Sequence, residues 1–337
     1  MRIYTTIFFI ILVYILLYFY RLNQDPINIT EYIPEIFPEI VNQLDQKTTE
    51  LLPSPQAELL SGILLGEKKS LPGWFKVALR DTSTLHIVVV SGQNLTFLAG
   101  FTMGLAGLFH KRMAIMLSLL AIIFYVLLTG AQVPVLRAAS MSLLAFLASV
   151  LGRQRDSVWI LLISAALLLL INPNWLTDLS FQLSFLASIG VITVAPILFN
   201  LIKHWPSFIA EDLSITLGAQ LMVIPIIAQS FHQFSVIGII TNVLVGWTIP
   251  LIMILGGVML IFAVIFTPIA QLISLVVNGL LTYFVDIVTF SASLPFAWEY
   301  VGEKSWIFWL GYYVFLAGVL SYTHAKNSTG TRHKTGS

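Results

Sequence analysis

Val133-Pro134-Val135-Leu136-Arg137-Ala138-Ala139-Ser140-Met141 opens an apolar stretch long enough to cross a bilayer, with a guanidinium near its start. A cation at membrane depth is expensive, and by default it marks a functional site. Other apolar stretches are interrupted in the same way, by His86 with Ser91-Gly92-Gln93-Asn94 and by Asp178 with Gln182 and Ser184. A single interruption reads as a loose helix end. The repetition points to a polar interior enclosed by lipid-facing helices.

Composition agrees. Hydrophobic residues make up 58% of the chain and charged residues 10%, whereas soluble domains average roughly 25% charged, and the mean hydropathy is +0.91. The expected fold class is an all-α integral membrane protein that crosses the bilayer several times. The net charge of +1 carries no message about nucleic acid, because basic residues here are read by side of the membrane rather than summed. The absence of cysteine excludes disulfides, thiolate metal sites and cysteine nucleophiles, and leaves the redox compartment unreadable.

Outward from the opening stretch, Ile3 to Tyr20 is a first apolar segment, followed by Arg21-Leu22-Asn23-Gln24-Asp25 with no small-residue cleavage site. It reads as a retained anchor over 1–22 rather than a signal peptide. Residues 23–56 carry Asp25, Glu31, Glu35, Glu39, Asp45 and Glu50 with several prolines, and read as an acidic extracytoplasmic linker with room for one short helix. From Ala57 to Leu79 apolar residues recur at helical spacing, with Glu67, Lys68, Lys69, Lys76 and Arg80 between or beside them. That spacing predicts amphipathic helices lying in the membrane interface, divided by Gly66 and Pro72.

Apolar runs of membrane-spanning length then follow near Leu85–Phe109, Met113–Thr129, Val133–Leu151, Val158–Ile171, Leu179–Ile202, Ile209–Ser230, Val236–Phe266, Ile269–Ala292 and Trp306–Thr323. With the anchor this makes about ten transmembrane helices by hydropathy. The Val158–Ile171 run is short and the Val236–Phe266 run overlong. The latter holds Asn242, Gly246, Pro250 and Gly256-Gly257, so it is either a helix broken against a protein-lined or wet interior or an ordinary proline kink. Lys111-Arg112, Arg153 with Arg155, Lys203 and the polar tail at 324–337 fall on one side if the alternation starts from a cytoplasmic Arg2. Both termini are therefore expected inside.

Each polar residue has a plain reading beside the functional one. Arg137 either snorkels to the interface or faces inward, and the inward role is carried forward. His86 is an interfacial residue or a pore residue. Ser91-Gly92 serves close helix packing unless Asn94 also faces inward. Asp178 caps the helix that starts at Leu179, and Gln182 and Ser184 are glue between helices, or else all three join the same interior. Asp286 lacks an obvious partner in its span.

Taken in order, Glu58-Leu-Leu-Ser-Gly-Ile-Leu-Leu-Gly66-Glu67, Leu85-His86 to Asn94, Leu128-Thr129-Gly130 with Val135 to Ala139, Asn172-Pro173 with Asp178 to Phe185, and Phe234-Ser235 with Asn242 and Pro250 resemble the competence domain of the ComEC family. The resemblance runs from about Ala57 to at least Leu260 and marks 57–323 as a competence-type membrane channel domain. It implies uptake of single-stranded DNA across the cytoplasmic membrane during natural transformation. The pore residues it implies are His86, Ser91, Gly92, Asn94, Arg137, Asp178, Gln182, Ser184 and Asn242. The partners are single-stranded DNA and membrane lipid, with a separately encoded nuclease, a DNA-binding receptor and an ATP-driven translocase, and homo-oligomerisation is left open.

The sequence departs from the family at Gln93 and Asn94, where the pattern is Ser-Gly-aliphatic-His. An amide keeps a donor and an acceptor but does not ionise, so any protonation role of that histidine is lost. Larger members also carry an OB-like and a metallo-β-lactamase-like domain, and no His-x-His-x-Asp-His run occurs in this sequence. No enzymatic activity, cofactor or metal is therefore expected, and the chain contains no phosphate-binding loop to make it its own motor. The alternative is a secondary transporter for small molecules or ions, with Asp178 and Asp286 as coupling sites. A scaffold without transport is the third reading.

Overall fold

The structure is a computed structural model that describes residues 2–25, 27, 37–66, 71–88, 94–95, 98, 100, 104, 111–130, 132–152 and 156–332. Its elements are α1 (Arg2–Leu22), α2 (Pro38–Leu51), α3 (Gln56–Leu65), α4 (Gly73–Asp81), α5 (Leu85–Val88), α6 (Lys111–Thr129), α7 (Val133–Val150) and α8 (Ser157–Ile171). A 3-10 turn (Pro173–Thr177) leads to α9 (Leu179–Ile189), a π turn (Gly190–Val194), α10 (Ala195–Ile202) and α11 (Ser207–Phe231). Then come β1 (Gln233–Phe234), α12 (Ile237–Gly246), α13 (Thr248–Ile265), α14 (Thr267–Ala292), β2 (Glu299–Tyr300) and α15 (Trp306–Arg332).

Among the described residues, Leu179–Ile202, Ile209–Phe231, Thr248–Ile265 and Thr267–Ala292 are long and apolar enough to cross a membrane, and shorter apolar helices accompany them. Their outer faces are bare: Leu272 is 68% exposed and Leu275 71%. Apolar surface on this scale suits hydrocarbon and not water. The protein is an all-α membrane protein. The expected Leu85–Phe109 crossing falls largely outside the described residues.

The chain forms two compact units, one made of 1–73, 86–185 and 248–285, the other of 74–85, 186–247 and 286–337. The first is built around α3, where Leu59, Leu60 and Ile63 are fully buried. α2, which arises inside the stretch expected as a linker, packs against α3, as does α13. At Gly256 of α13 a methyl group would stand 2.7 Å from the Leu60 side chain, so the missing Cβ lets the two helices close. This corrects the interfacial expectation for the first half of Ala57–Leu79. α3 is apolar nearly all round, which is the pattern of a buried helix, while the lysines that made the segment look amphipathic follow its end at Gly66 (φ 79°). α4 does have a single buried face, Phe75, Ala78 and Leu79, opposite exposed Trp74 and Val77.

In the same unit α1 lies along α8. Arg21 donates through Nε to the Leu170 carbonyl at 3.0 Å and through Nη2 to that of Ile171 at 2.9 Å. These are carbonyls that the last turn of α8 leaves unpaired, and a cation there also opposes the helix dipole. The C-terminal ends of α1 and α8 therefore lie together.

In the second unit the π turn and α11 touch backbone to backbone. A Cβ at Gly190 would lie 2.1 Å from the Gly218 carbonyl oxygen, and one at Gly218 2.9 Å from the backbone nitrogen of Ala195. β1 and β2 pair antiparallel, with Gln233 opposite Tyr300 and Phe234 opposite Glu299. The overlong Val236–Phe266 run divides at Trp247, which keeps helical angles (φ −65°, ψ −22°). Pro250 lies in the first turn of α13.

Candidate functional site

α7 starts at Val133 with Pro134 in its first turn, where an absent N–H costs no helix bond. One turn on, Arg137 is partly buried and its Nε donates to Ser184 Oγ of α9 at 2.6 Å. Its guanidinium carbon lies 6.0 Å from the centre of the Phe185 ring, and Nη1 is 3.7 Å from Met141 Sδ. Phe185 in turn packs against Phe181, ring centres 4.4 Å apart and the rings tilted by 35°. A hydroxyl, a thioether and an aromatic face orient the cation while carrying no charge of their own. Behind it, the Ser140 and Ser164 hydroxyls are hydrogen-bonded across α7 and α8, which fixes the rotation of α7.

The other sequence-derived residues are placed differently. Asn94 is 1% exposed, and its Nδ2 donates to the Ile63 carbonyl at 3.1 Å. The Tyr125 hydroxyl donates to the same oxygen at 3.3 Å. Ile63 lies in the last turn of α3, so both groups cap one carbonyl that the helix end leaves open. Leu95, next in sequence, packs with Ile122, Tyr125, Val126, Val135 and Ala138. Asn94 is thus set beside an apolar cluster, and its placement is that of a helix cap.

Asp178 accepts from the Phe181 N–H at 2.9 Å and so caps α9, as the plain reading held. Gln182 donates to the Leu176 carbonyl at 2.9 Å. Both bonds stay within the first turn of α9 and the loop before it. His86 is exposed, between the buried pair Ile87 and Val88 and the start of α5. Asn242 belongs to the second unit, where it is 8% exposed and its Oδ1 is buried with no donor among the described residues. Asp286 is exposed on α14. Ser91 and Gly92 lie outside the described residues. The structure therefore brings Arg137 and Ser184 together, and leaves Asp178 and Gln182 in local bonds.

A family model described as Competence protein matches residues 63–326. The chain belongs to the competence protein family. It is 31% identical over 205 residues to ComE operon protein 3 of Bacillus subtilis (strain 168), a match covering 58% of this chain and 25% of that protein. It is 27% identical over 226 residues to the uncharacterized protein YcaI of Escherichia coli (strain K12), covering 60% of this chain and 28% of that one. An uncharacterized protein of Aquifex aeolicus (strain VF5) is 29% identical over 184 residues, 52% of this chain and 43% of that one. The chain thus spans from a quarter to less than half the length of these relatives. No solved structure matches it.

The matched region contains all the sequence-derived site residues, and it also contains groups that sequence reasoning missed. In the sequence Ser235 belongs to a motif and carries no assigned role. Its Oγ donates to the Ala297 carbonyl at 2.7 Å and accepts the Gly238 N–H at 3.0 Å, so it caps α12 and ties it to the segment after α14. Ser164 and Tyr125 were not singled out, because nothing local marks a hydroxyl whose partner lies on another helix.

The cap at Ile63 gives a first expected result. Asn94→Leu is expected to lower stability by roughly 0.5–1.5 kcal/mol, the net worth of one hydrogen bond, since Tyr125 still serves the Ile63 carbonyl. Asn94→His keeps an N–H and is expected to lose much less. Thermal midpoints of the purified variants in detergent check this, and equal losses in the two would refute the capping role.

Proposed function

We propose that this chain is a membrane channel for the entry of single-stranded DNA across the cytoplasmic membrane during natural transformation. The observation that carries the reading is Arg137, held by Ser184 over the Phe185 ring, within the region matched by the competence family. A fixed cation in a low-dielectric setting attracts phosphate strongly. An aromatic face beside it offers a sequence-independent surface for bases, the pairing that single-strand binders use. His86, Ser91, Gly92, Asn94, Asp178, Gln182, Ser184 and Asn242 complete the proposed translocation region. On the geometry above, Asn94 and Asp178 act there by fixing helix ends.

About ten crossings with both termini cytoplasmic are proposed from hydropathy and loop charge. The chain acts without catalysis of its own, and a nuclease, a DNA receptor and an ATP-driven translocase act beside it. The transporter reading draws on the division of the Val236–Phe266 run at Trp247, since broken helices also build secondary transporters. One experiment separates the two. Deleting the gene from a transformable host should abolish entry of labelled DNA into a nuclease-protected cytoplasmic pool, with restoration on complementation. Undiminished entry in the deletion strain rules out the channel.

A further inference from the structure

Pro225 stands inside α11, with no N–H to offer the Leu221 carbonyl one turn back and a ring that pushes that carbonyl aside. In hydrocarbon such a group must find another donor. α15 supplies it. The Tyr312 hydroxyl donates to the Leu221 carbonyl at 2.8 Å, and the Tyr313 hydroxyl donates to the next carbonyl, that of Met222, at 2.9 Å. On the far side of the proline, Trp309 Nε1 donates to Gln229 Oε1 at 2.9 Å. Positions 309, 312 and 313 fall on one face of a helix. Their rings are packed edge to face, Trp309 to Tyr312 at 6.4 Å and Tyr312 to Tyr313 at 5.7 Å. These donors therefore grip α11 on both sides of its weakest point.

We infer that Trp309, Tyr312 and Tyr313 form a clasp that holds the Pro225 hinge of α11 in one bend. Release of the clasp frees the segment from Ile226 to Phe231. That segment leads through β1 into α12, which carries Asn242, so the clasp positions α12 as well. A proline kink has two arrangements open to it where an outside donor competes with water or a second donor for the freed carbonyl. The inference concerns this hinge alone and stands whether the substrate is DNA or a small solute.

The test is hydrogen exchange on the full chain purified in detergent. In Tyr312→Phe/Tyr313→Phe, amides of the 226–232 segment should exchange faster by on the order of tenfold or more, the effect expected from two lost hydrogen bonds. Amides of α13 should not change. Adding Pro225→Ala restores an N–H for the Leu221 carbonyl, so protection of the segment should return in the triple variant. Unchanged exchange in the double variant, acceleration spread evenly over the chain, or failure of Pro225→Ala to restore protection would each overturn the clasp. Should the double variant not accumulate, Tyr312→Phe alone removes one oxygen atom and is read by the same criteria with and without Pro225→Ala.

Discussion

Gly190→Leu should leave no folded protein in the membrane, and Gly190→Ala should already be severely unstable. The position offers no room: the Cβ of any side chain would sit 2.1 Å from the Gly218 carbonyl oxygen and 2.7 Å from its carbonyl carbon. Those are backbone atoms of α11 and cannot rotate away as a side chain would. The helices must separate, and the contacts along the crossing go with them. Overpacking usually costs about 1–3 kcal/mol when side chains absorb it; here the expected loss lies above that range. Gly218→Leu should behave alike, since its Cβ would meet Ala195 N and Gly190 O, each at 2.9 Å. Gly257→Ala is the control, because nothing stands within 4 Å of that site and the change should be neutral or mildly stabilising through helix propensity. Abundance in isolated membranes and thermal midpoints in detergent read out the series. A stable Gly190→Leu protein would mean that the two helices do not cross there.

Much of the helix layout was legible because hydropathy reports local chain content. The run read as Val158–Ile171 is α8 (Ser157–Ile171), and Leu179–Ile202 is recovered as one membrane-length segment. Gly66 and Pro72 do separate α3 from α4, for the turn needs a left-handed residue and proline restricts the one before it. What stayed hidden is tertiary. An apolar helix looks the same in sequence whether lipid or protein surrounds it, so the central place of α3 could not be told from an interfacial one. The Ile63 carbonyl that Asn94 caps is 31 residues away, and the Leu221 carbonyl that Tyr312 reaches is 91 away. Arg137 was legible as costly, and Ser184 was flagged in its own span, yet no periodicity says that these two meet. Gly190 and Gly218 carry no local signal either, since a glycine needed for close approach and one facing lipid share the same letter.

The largest functional effect is expected at Arg137. In a host whose copy of this gene is replaced, Arg137→Ala should reduce labelled DNA in the protected cytoplasmic pool to the level of the deletion strain, while the protein remains normally abundant in the membrane. The substitution removes a bulky cation and leaves the Ser140–Ser164 bond and the apolar packing of Val135 and Ala138 to hold α7. Arg137→Lys keeps the charge but loses the planar fork that reaches Ser184 and lies over Phe185, and should retain only part of the activity. Ser184→Ala removes one hydrogen bond to a charged group, worth about 1.5–3 kcal/mol, and should lower entry by roughly tenfold or more if that bond sets the working position of the cation. A conduit and a structural polar knot then diverge on one comparison. The conduit loses entry at constant abundance, graded Ala below Lys, whereas a knot loses abundance and entry together in every variant. If Arg137→Ala protein is normally abundant and imports DNA at the parental rate, the cation does neither, and the translocation path must be sought away from the junction of α7 and α9.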